Sequence, residues 1–260
     1  MRGDPDLSPP GIEKRRILMS QVLGGSTPDP EYRSLYNIGG AAALIVAFLT
    51  VAEIIVFAFF PQPSTINEWF IAFEDNQFIG LLDFWGLEIP MYGMFALVFL
   101  ALYVVLREVN KSGMAIAVTL ALLGIAIFFA TNNPFSMLSL SRQFTAATTD
   151  ANRSALLAAG EALLVNTNQR VVGGFNIGLF LVSAAGLIVS SVMLRAASFR
   201  RSTAYIGILA FGFSLADYLR QAITSSVSIT LLLILPGAFL LVLWFVLVGR
   251  RLWQLGHLGE

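Results

Sequence analysis

Three acidic residues lie where they could do chemistry, within long runs of apolar residues. Glu53, Glu88 and Asp217 each interrupt such a run. With a helical rise of about 1.5 Å per residue, each lies roughly 10 to 12 Å from the same side of the predicted membrane. Three other polar residues fall near that level: Asp83, Asn176 and Arg220. A charge at the centre of a spanning helix costs about 2.5–3.5 kcal/mol, so these acids need a compensating arrangement.

Carboxylates outnumber basic groups in this set, and that excess indicates a positively charged ligand. A cation, a proton or an amine-bearing molecule would satisfy it. The structural alternative is a buried pair, because Asp217 and Arg220 lie three residues apart on one helix and a second carboxylate could share the guanidinium. Both interpretations stay open at this point.

Composition excludes several other kinds of site. The chain has no cysteine, and its one histidine, His257, lies in the C-terminal tail. These facts remove thiolate and His-ligated metal sites and Ser-His or Cys-His catalytic pairs from the apolar runs. The formal net charge is zero, which gives no attraction to nucleic acid. We therefore expect no cofactor, no metal and no nucleic-acid partner.

Apolar runs dominate the chain and predict a membrane protein. Hydrophobic residues make up 57% of the sequence, charged residues 12%, and the mean hydropathy is +0.76. Helices are expected, since a segment in hydrocarbon must satisfy its own backbone hydrogen bonds. The sequence predicts an all-α polytopic membrane protein with six transmembrane helices near residues 35–60, 80–106, 113–131, 171–194, 203–222 and 227–249.

Charge flanking the runs predicts their orientation. All but four of the 16 lysines and arginines fall on one side, the exceptions being Arg142, Arg153, Arg170 and Arg220. By the positive-inside rule, both termini are cytoplasmic, in a plasma (inner) membrane. The predicted parts are an irregular cytoplasmic tail (1–31), a membrane domain (32–253) and a C-terminal tail (254–260). Aromatic anchors are expected at Tyr36, Tyr205 and Trp253 on the inner side and at Trp69, Trp85 and Tyr218 on the outer side.

The connection between the third and fourth runs is too long for a structureless loop, and it predicts an outer helical hairpin over residues 134–165. Asn133 before Pro134 is typical of an N-cap and first helical position. Thr149 is typical of a second N-cap, opening a helix with Leu156 and Leu163 on its apolar face. The hairpin is either a structural cap or a lid over a polar cavity.

Small residues in the fourth run indicate close helix packing. They are spaced at four and eight residues along one stripe: Gly174, Gly178, Gly186 and Ser190. Such a stripe lets a neighbouring helix approach closely, by default within one monomer and alternatively in a homodimer. Pro90 and Pro236 are expected to kink their helices or to free backbone carbonyls.

Three segments resemble a family of uncharacterised bacterial multi-pass membrane proteins. They are QFTAATTDANRSALLAAGEALL at 143–164, followed by a Gly-rich run, then RSTAYIGILA at 201–210 and LVLWFVLVGRRLWQLG at 241–256. The resemblance covers roughly residues 32–258. It implies a prokaryotic plasma membrane and this helix count, and it transfers no activity, ligand or site residue.

The sequence thus predicts a non-enzymatic membrane protein with an outer-leaflet polar site for a small cationic or amphiphilic ligand, resembling a transporter or sensor. The first alternative is an accessory subunit whose acids form structural pairs and whose partners are lipid and another membrane protein. The second is an intramembrane hydrolase using Glu53 and Glu88 as general acid and base, for which the sequence offers no nucleophile or oxyanion motif.

Overall fold

The chain folds into helices throughout its described parts. The computed structural model describes residues 30–59, 63–167, 176–223 and 227–257, so most of the predicted N-terminal tail and Gly174 lie outside it. No strand occurs in these ranges. The helices are α1 (Arg33–Phe59), α2 (Ile66–Asp75), α3 (Gln77–Leu81), α4 (Glu88–Leu106), α5 (Lys111–Thr131), α6 (Pro134–Ala146), α7 (Asp150–Thr167), α8 (Ile177–Met193), α9 (Arg201–Ile223) and α10 (Val227–Gly256).

Six of these helices form a closed ring in chain order, which we call the helix ring. α1 packs against α4, α4 against α5, α5 against α8, α8 against α9, α9 against α10, and α10 returns to α1. Neighbours run antiparallel, since the start of α1 contacts the end of α10 and the end of α5 contacts the start of α8. The ring therefore gathers alternate helix ends at two opposite ends of the bundle.

Small residues bring neighbouring helices of the ring into close contact. A Cβ added to Gly124 of α5 would lie 2.6 Å from the Gly178 carbonyl oxygen of α8, so neither position has room for a side chain. Gly186 lies against the Phe211 ring of α9, and Ser190 is fully buried. The described members of the predicted stripe thus pack within the monomer, as small residues do between membrane helices.

Aromatic side chains fill the centre of the ring. Phe95 of α4 meets Phe245 of α10 at a ring-centroid distance of 4.9 Å, although these two helices are not neighbours in the ring. Phe211 and Trp244 meet edge to face at 5.0 Å. Such pairs add to the stability that the buried area provides. The centre is therefore a packed core.

Within the described ranges, five helical segments are long and apolar enough to cross a membrane: Arg33–Val56, Gln77–Leu106, Lys111–Ala146, Arg201–Gln221 and Leu232–Gly256. Ile177–Met193 is a shorter apolar helix. The predicted fourth run begins before it, at residues that lie outside the described ranges. Large apolar side chains also face away from the ring, with Phe48 and Phe239 each 70% exposed. This apolar outer surface is typical of a protein whose solvent is lipid.

The two ends of the ring differ in charge. Arg33, Arg107 and Lys111 lie at one end of the ring, which we call the basic end. The same end holds the five arginines at positions 195, 200, 201, 250 and 251. Glu53, Glu88 and Asp217 lie toward the other, which we call the acid end. The predicted asymmetry of charge is therefore present in three dimensions.

A second, smaller core lies at the acid end and joins α2, α3, α6 and α7, which we call the cap. Trp69 and Phe84 meet edge to face at 4.9 Å, and Phe70 meets Phe144 at 5.0 Å. Trp69 is only 1% exposed, so the prediction that it is an interfacial anchor was wrong. Tyr36 is likewise buried, at 3% exposure.

The sequence analysis did not predict α2. Its start carries a capping box, in which the Thr65 side chain accepts from the Glu68 backbone N–H and the Glu68 carboxylate accepts from the Thr65 N–H. The spacing S/T-x-x-E is a signal that would have found this helix.

α6 and α7 begin where the sequence predicts. The Asn133 side chain accepts from the Phe135 N–H with Pro134 in the first turn, and the Thr149 hydroxyl accepts from the Asn152 N–H. The buried face of α7 is centred on Gly160 and Leu164, one residue from the predicted Leu156 and Leu163 face. Ile66 of α2 contacts Gly160 closely, and that contact sets the rotation of α7.

Candidate functional site

Glu53 points from α1 toward the interior at the acid end. Val46 and Thr50 precede it on the same helix face, at intervals of four and three residues, and both are buried. The Thr50 hydroxyl donates to the Val46 carbonyl and lies 3.4 Å from the Met91 sulfur of α4. Glu53 itself is partly exposed. Its side chain therefore lies at the boundary between the interior of the bundle and the surface.

Glu88 begins α4 immediately after an irregular turn. Residues Leu82–Gly86 form a π-helical turn, a feature that is frequent at functional sites. Pro90 has no backbone N–H, so it cannot donate to the Gly86 carbonyl. Pro90 thus lies in the first turn of α4, directly after the π-helical turn. The Glu88 side chain is 3% exposed.

The Glu53 and Glu88 carboxyl groups lie close enough to hydrogen-bond to each other. Two ionised carboxylates cannot do so, since one of them must donate an O–H. The pair can therefore form this bond only when one of the two carboxyl groups carries a proton. Among the described residues neither acid has a lysine or arginine partner, and Glu88 Oε2 is buried without a hydrogen-bond partner. We call Glu53 and Glu88 the acid pair.

Two tyrosines complete the surroundings of the acid pair. Tyr92 lies one helical turn after Glu88 and stacks on Phe128 of α5 at 4.3 Å. Tyr218 of α9 is close enough to Glu53 and to Tyr92 to interact with both electrostatically. The tyrosines bring phenolic hydroxyls, which both donate and accept hydrogen bonds, to a group of acids. The sequence analysis missed Tyr92, which the four-residue spacing from Glu88 could have indicated.

Asp217 lies at the same end but is neutralised locally. Arg220 Nε donates to Asp217 Oδ1 at 2.9 Å, and Gln221 Nε2 donates to Oδ2 at 2.6 Å. Both charged side chains are almost fully buried. This is the arrangement that the structural alternative proposed for these two residues. Asp217 and Arg220 therefore form an ion pair separate from the acid pair, which we call the ion pair.

The other two predicted site residues have different surroundings. Asp83 is buried in the π-helical turn and is close enough to Glu88 for electrostatic repulsion between the two. Asn176 is the N-cap of α8, where its side-chain oxygen accepts from the Leu179 N–H. The structure thus brings Glu53, Glu88 and Asp83 together and gives Asn176 a structural role as a helix cap.

Two surface cavities lie elsewhere. One of about 560 Å³ separates α6 from α7 and is lined by Ser136, Ser139, Leu140, Ala159, Ala162 and Leu163. Another of about 290 Å³ lies at the basic end. Neither is lined by the acid pair, so the polar cavity predicted beneath a lid is not among them. Within the described ranges, no three His, Cys, Asp or Glu side chains are grouped to hold a metal ion.

Comparison with known protein families, with curated proteins and with solved structures found no match to this chain. The resemblance to uncharacterised bacterial membrane proteins stays a prediction from the three quoted segments. Any function must therefore be argued from the geometry of the acid pair.

Proposed function

We propose that this protein is a six-span membrane protein that binds a small cation at the acid pair, as a transporter or sensor would. α8 serves as the sixth span. The basic end faces the cytoplasm of a bacterial cell and the acid end faces outward, in accordance with the distribution of lysine and arginine. The cap then covers the outer surface.

One observation carries this proposal: the Glu53 and Glu88 carboxyl groups lie within hydrogen-bonding reach of each other without a basic partner among the described residues. Two acids without a counter-charge are expensive to bury in a bilayer, so they hold either a proton or another cation. An arginine would have satisfied a purely structural carboxylate, as Arg220 satisfies Asp217. Among the described residues the acid pair has no arginine partner, so its negative charge is available to a ligand.

The surroundings favour a small ligand that enters past Glu53. Glu53 is partly exposed whereas Glu88 is buried, so a cation would meet Glu53 first. Tyr92 and Tyr218 offer oxygen atoms and aromatic faces, both of which bind cations and amines. Below them the aromatic core fills the ring, so the bound cation is held near the acid end.

The test is thermal unfolding of the purified protein in phosphatidylcholine nanodiscs at constant ionic strength. Sodium, potassium, choline and tetraphenylphosphonium chlorides are each titrated between pH 5 and 9. We expect at least one of them to raise the unfolding temperature of the wild type in a concentration-dependent way. That shift should shrink at low pH, because protons compete for the acid pair.

Two variants make the test specific. Glu88→Gln should remove the cation-dependent shift, whereas Glu68→Gln, the same change at a fully exposed carboxylate of the cap, should keep it. Equal shifts in Glu88→Gln and wild type would overturn the proposal. The proposal would also be overturned if neither the four cations nor pH changed the unfolding temperature of the wild type. The accessory-subunit alternative would then remain.

A further inference from the structure

A second cavity at the basic end has the features of a binding site for an anionic headgroup. It encloses about 290 Å³ and is lined by Leu44, Arg250, Trp253 and Gln254. These residues come from α1 and α10, the two helices that close the ring. The cavity therefore lies where the surface of the bundle passes from apolar to basic.

Close backbone contact between α1 and α10 forms one wall of this cavity. A Cβ on Gly249 would lie 3.0 Å from the Gly40 carbonyl oxygen and 3.0 Å from Leu44. A Cβ on Gly40 would lie 2.9 Å from the Trp253 backbone nitrogen. Because both glycines lack side chains, the helices cross closely and Leu44, Arg250 and Trp253 can share one recess.

Arg250 differs from the two other arginines at this junction. Arg251 Nε donates to the Ser198 carbonyl, and Arg33 Nε donates to the Gly256 carbonyl at 2.6 Å. Arg250 is exposed and forms no hydrogen bond or ion pair within the described residues. Its guanidinium is a planar set of donors suited to a phosphate or carboxylate. Beside it, the Gln254 side-chain oxygen accepts from Arg251 at 3.4 Å, and Gln254, which also lines the cavity, keeps its amide N–H groups as donors.

An apolar surface continues from the cavity along α1. Leu44 is 38% exposed and Phe48, one turn further on, is 70% exposed, both on the side of α1 away from the ring core. Trp253, which is 45% exposed, lies at the polar boundary, as tryptophan does at a membrane interface. A free phosphate would use only the polar part of this surface. A phospholipid would use both parts.

From this arrangement we infer that the groove between α1 and α10 binds an anionic phospholipid, with its phosphate on Arg250 and Gln254 and an acyl chain along Leu44 and Phe48. The inference is independent of the acid pair, which lies at the opposite end. Positive charge near a membrane surface attracts anionic lipid in general. Here the unpaired arginine, the recess and the apolar surface combine into a single specific site.

The experiment measures the lipid that stays bound to the protein. Protein from nanodiscs of equal phosphatidylglycerol and phosphatidylcholine content is transferred to detergent, and the retained lipids are counted by native mass spectrometry. Wild type should retain phosphatidylglycerol preferentially. In Arg250→Gln we expect that preference to fall about tenfold, equivalent to about 1.4 kcal/mol. Arg201→Gln removes the same charge from an exposed site at the same end, outside the cavity, and should retain the preference.

Two further measurements keep the inference falsifiable. Leu44→Trp fills the cavity without changing charge and should also reduce retention of phosphatidylglycerol. Inorganic phosphate at millimolar concentration should not displace the lipid, since it lacks the acyl contact. Equal losses in Arg250→Gln and Arg201→Gln would overturn the site in favour of diffuse surface charge. Displacement by phosphate would overturn the acyl contact and leave an anion site only.

Discussion

The acid pair and the ion pair lie at the same end of one helix ring, but their carboxylates have different partners. Asp217 receives a guanidinium and an amide, so both of its oxygens are satisfied within one helix. Glu53 and Glu88 come from two helices and have each other, with two tyrosines nearby. The first arrangement is complete without a ligand. The second has no basic partner among the described residues, and in the proposed function a proton or a cation completes it.

This difference distinguishes the structural role of the ion pair from the function proposed for the acid pair. A buried ion pair loses much stability when one partner is removed, because the other charge stays behind. An acid pair that holds a proton can exchange it for another cation without changing the fold. Substitutions in the two pairs should therefore affect different measurements.

The largest expected effect is on the ion pair. Arg220→Gln leaves the Asp217 carboxylate buried without its guanidinium, and we expect a loss of about 3–5 kcal/mol in the free energy of unfolding. Equilibrium unfolding in mixed micelles with a denaturing detergent measures this loss. The response to cations should persist in whatever fraction remains folded.

A double substitution tests whether the loss comes from the stranded charge. Asp217→Asn combined with Arg220→Gln removes both charges, so it should be more stable than Arg220→Gln alone. If the double variant were the less stable of the two, the ion pair would not be the self-contained unit described above.

A smaller effect on stability is expected in the acid pair. In Glu53→Gln or Glu88→Gln the amide donates to the remaining carboxyl in place of the shared proton, so the free energy of unfolding should stay within about 1 kcal/mol of wild type. The same unfolding assay measures it. A loss as large as that of Arg220→Gln would erase the contrast between the two pairs and favour a structural role for both.

The smallest effect belongs to a carboxylate outside both pairs, Glu68, which is exposed in the cap. Hydrogen bonds from the Ser64 backbone and side chain and from Thr65 hold the pKa of Glu68 below its ordinary value of 4.5. A lowered pKa in the folded state stabilises α2 above pH 4.5, and that contribution is lost as the pH falls through the lowered value. Hydrogen exchange of α2 amides should therefore show more protection in wild type than in Glu68→Gln at neutral pH. The ratio of amide protection in wild type to that in Glu68→Gln should approach one as the pH falls. A ratio that does not change with pH would contradict the role of the Glu68 carboxylate.

The sequence predicted which segments are helical, since that follows from the apolar runs, whereas the depth of their charges in a membrane stays a prediction. It also predicted the starts at Pro134 and Asp150 from their caps. It missed α2, whose ten residues are too few for a clear apolar period, although Thr65 and Glu68 carried a signal.

Depth alone could not separate the two pairs, because the outcome depends on the rotation of each helix about its axis. That rotation is set by contacts such as Gly124 with Gly178 and Gly186 with Phe211, between residues far apart in the chain. The apolar pattern does not specify the rotation of each helix about its axis. That rotation decides whether Glu88 lies beside Glu53 or beside an arginine. For the same reason, the predicted apolar face of α7 differs by one residue from the face that is buried.

The closure of the ring by α1 and α10 has a consequence for biogenesis. The Arg33 side chain donates to the carbonyl of Gly256, and Asn37 lies against the same glycine, so the first helix of the ring is completed by its last. Because α10 is the last ring helix to be synthesised, α1 cannot make these contacts until all the other ring helices exist. Until then Gly39 and Gly40 lack the contacts that α10 provides, and the ring helices already made can form only an open arc.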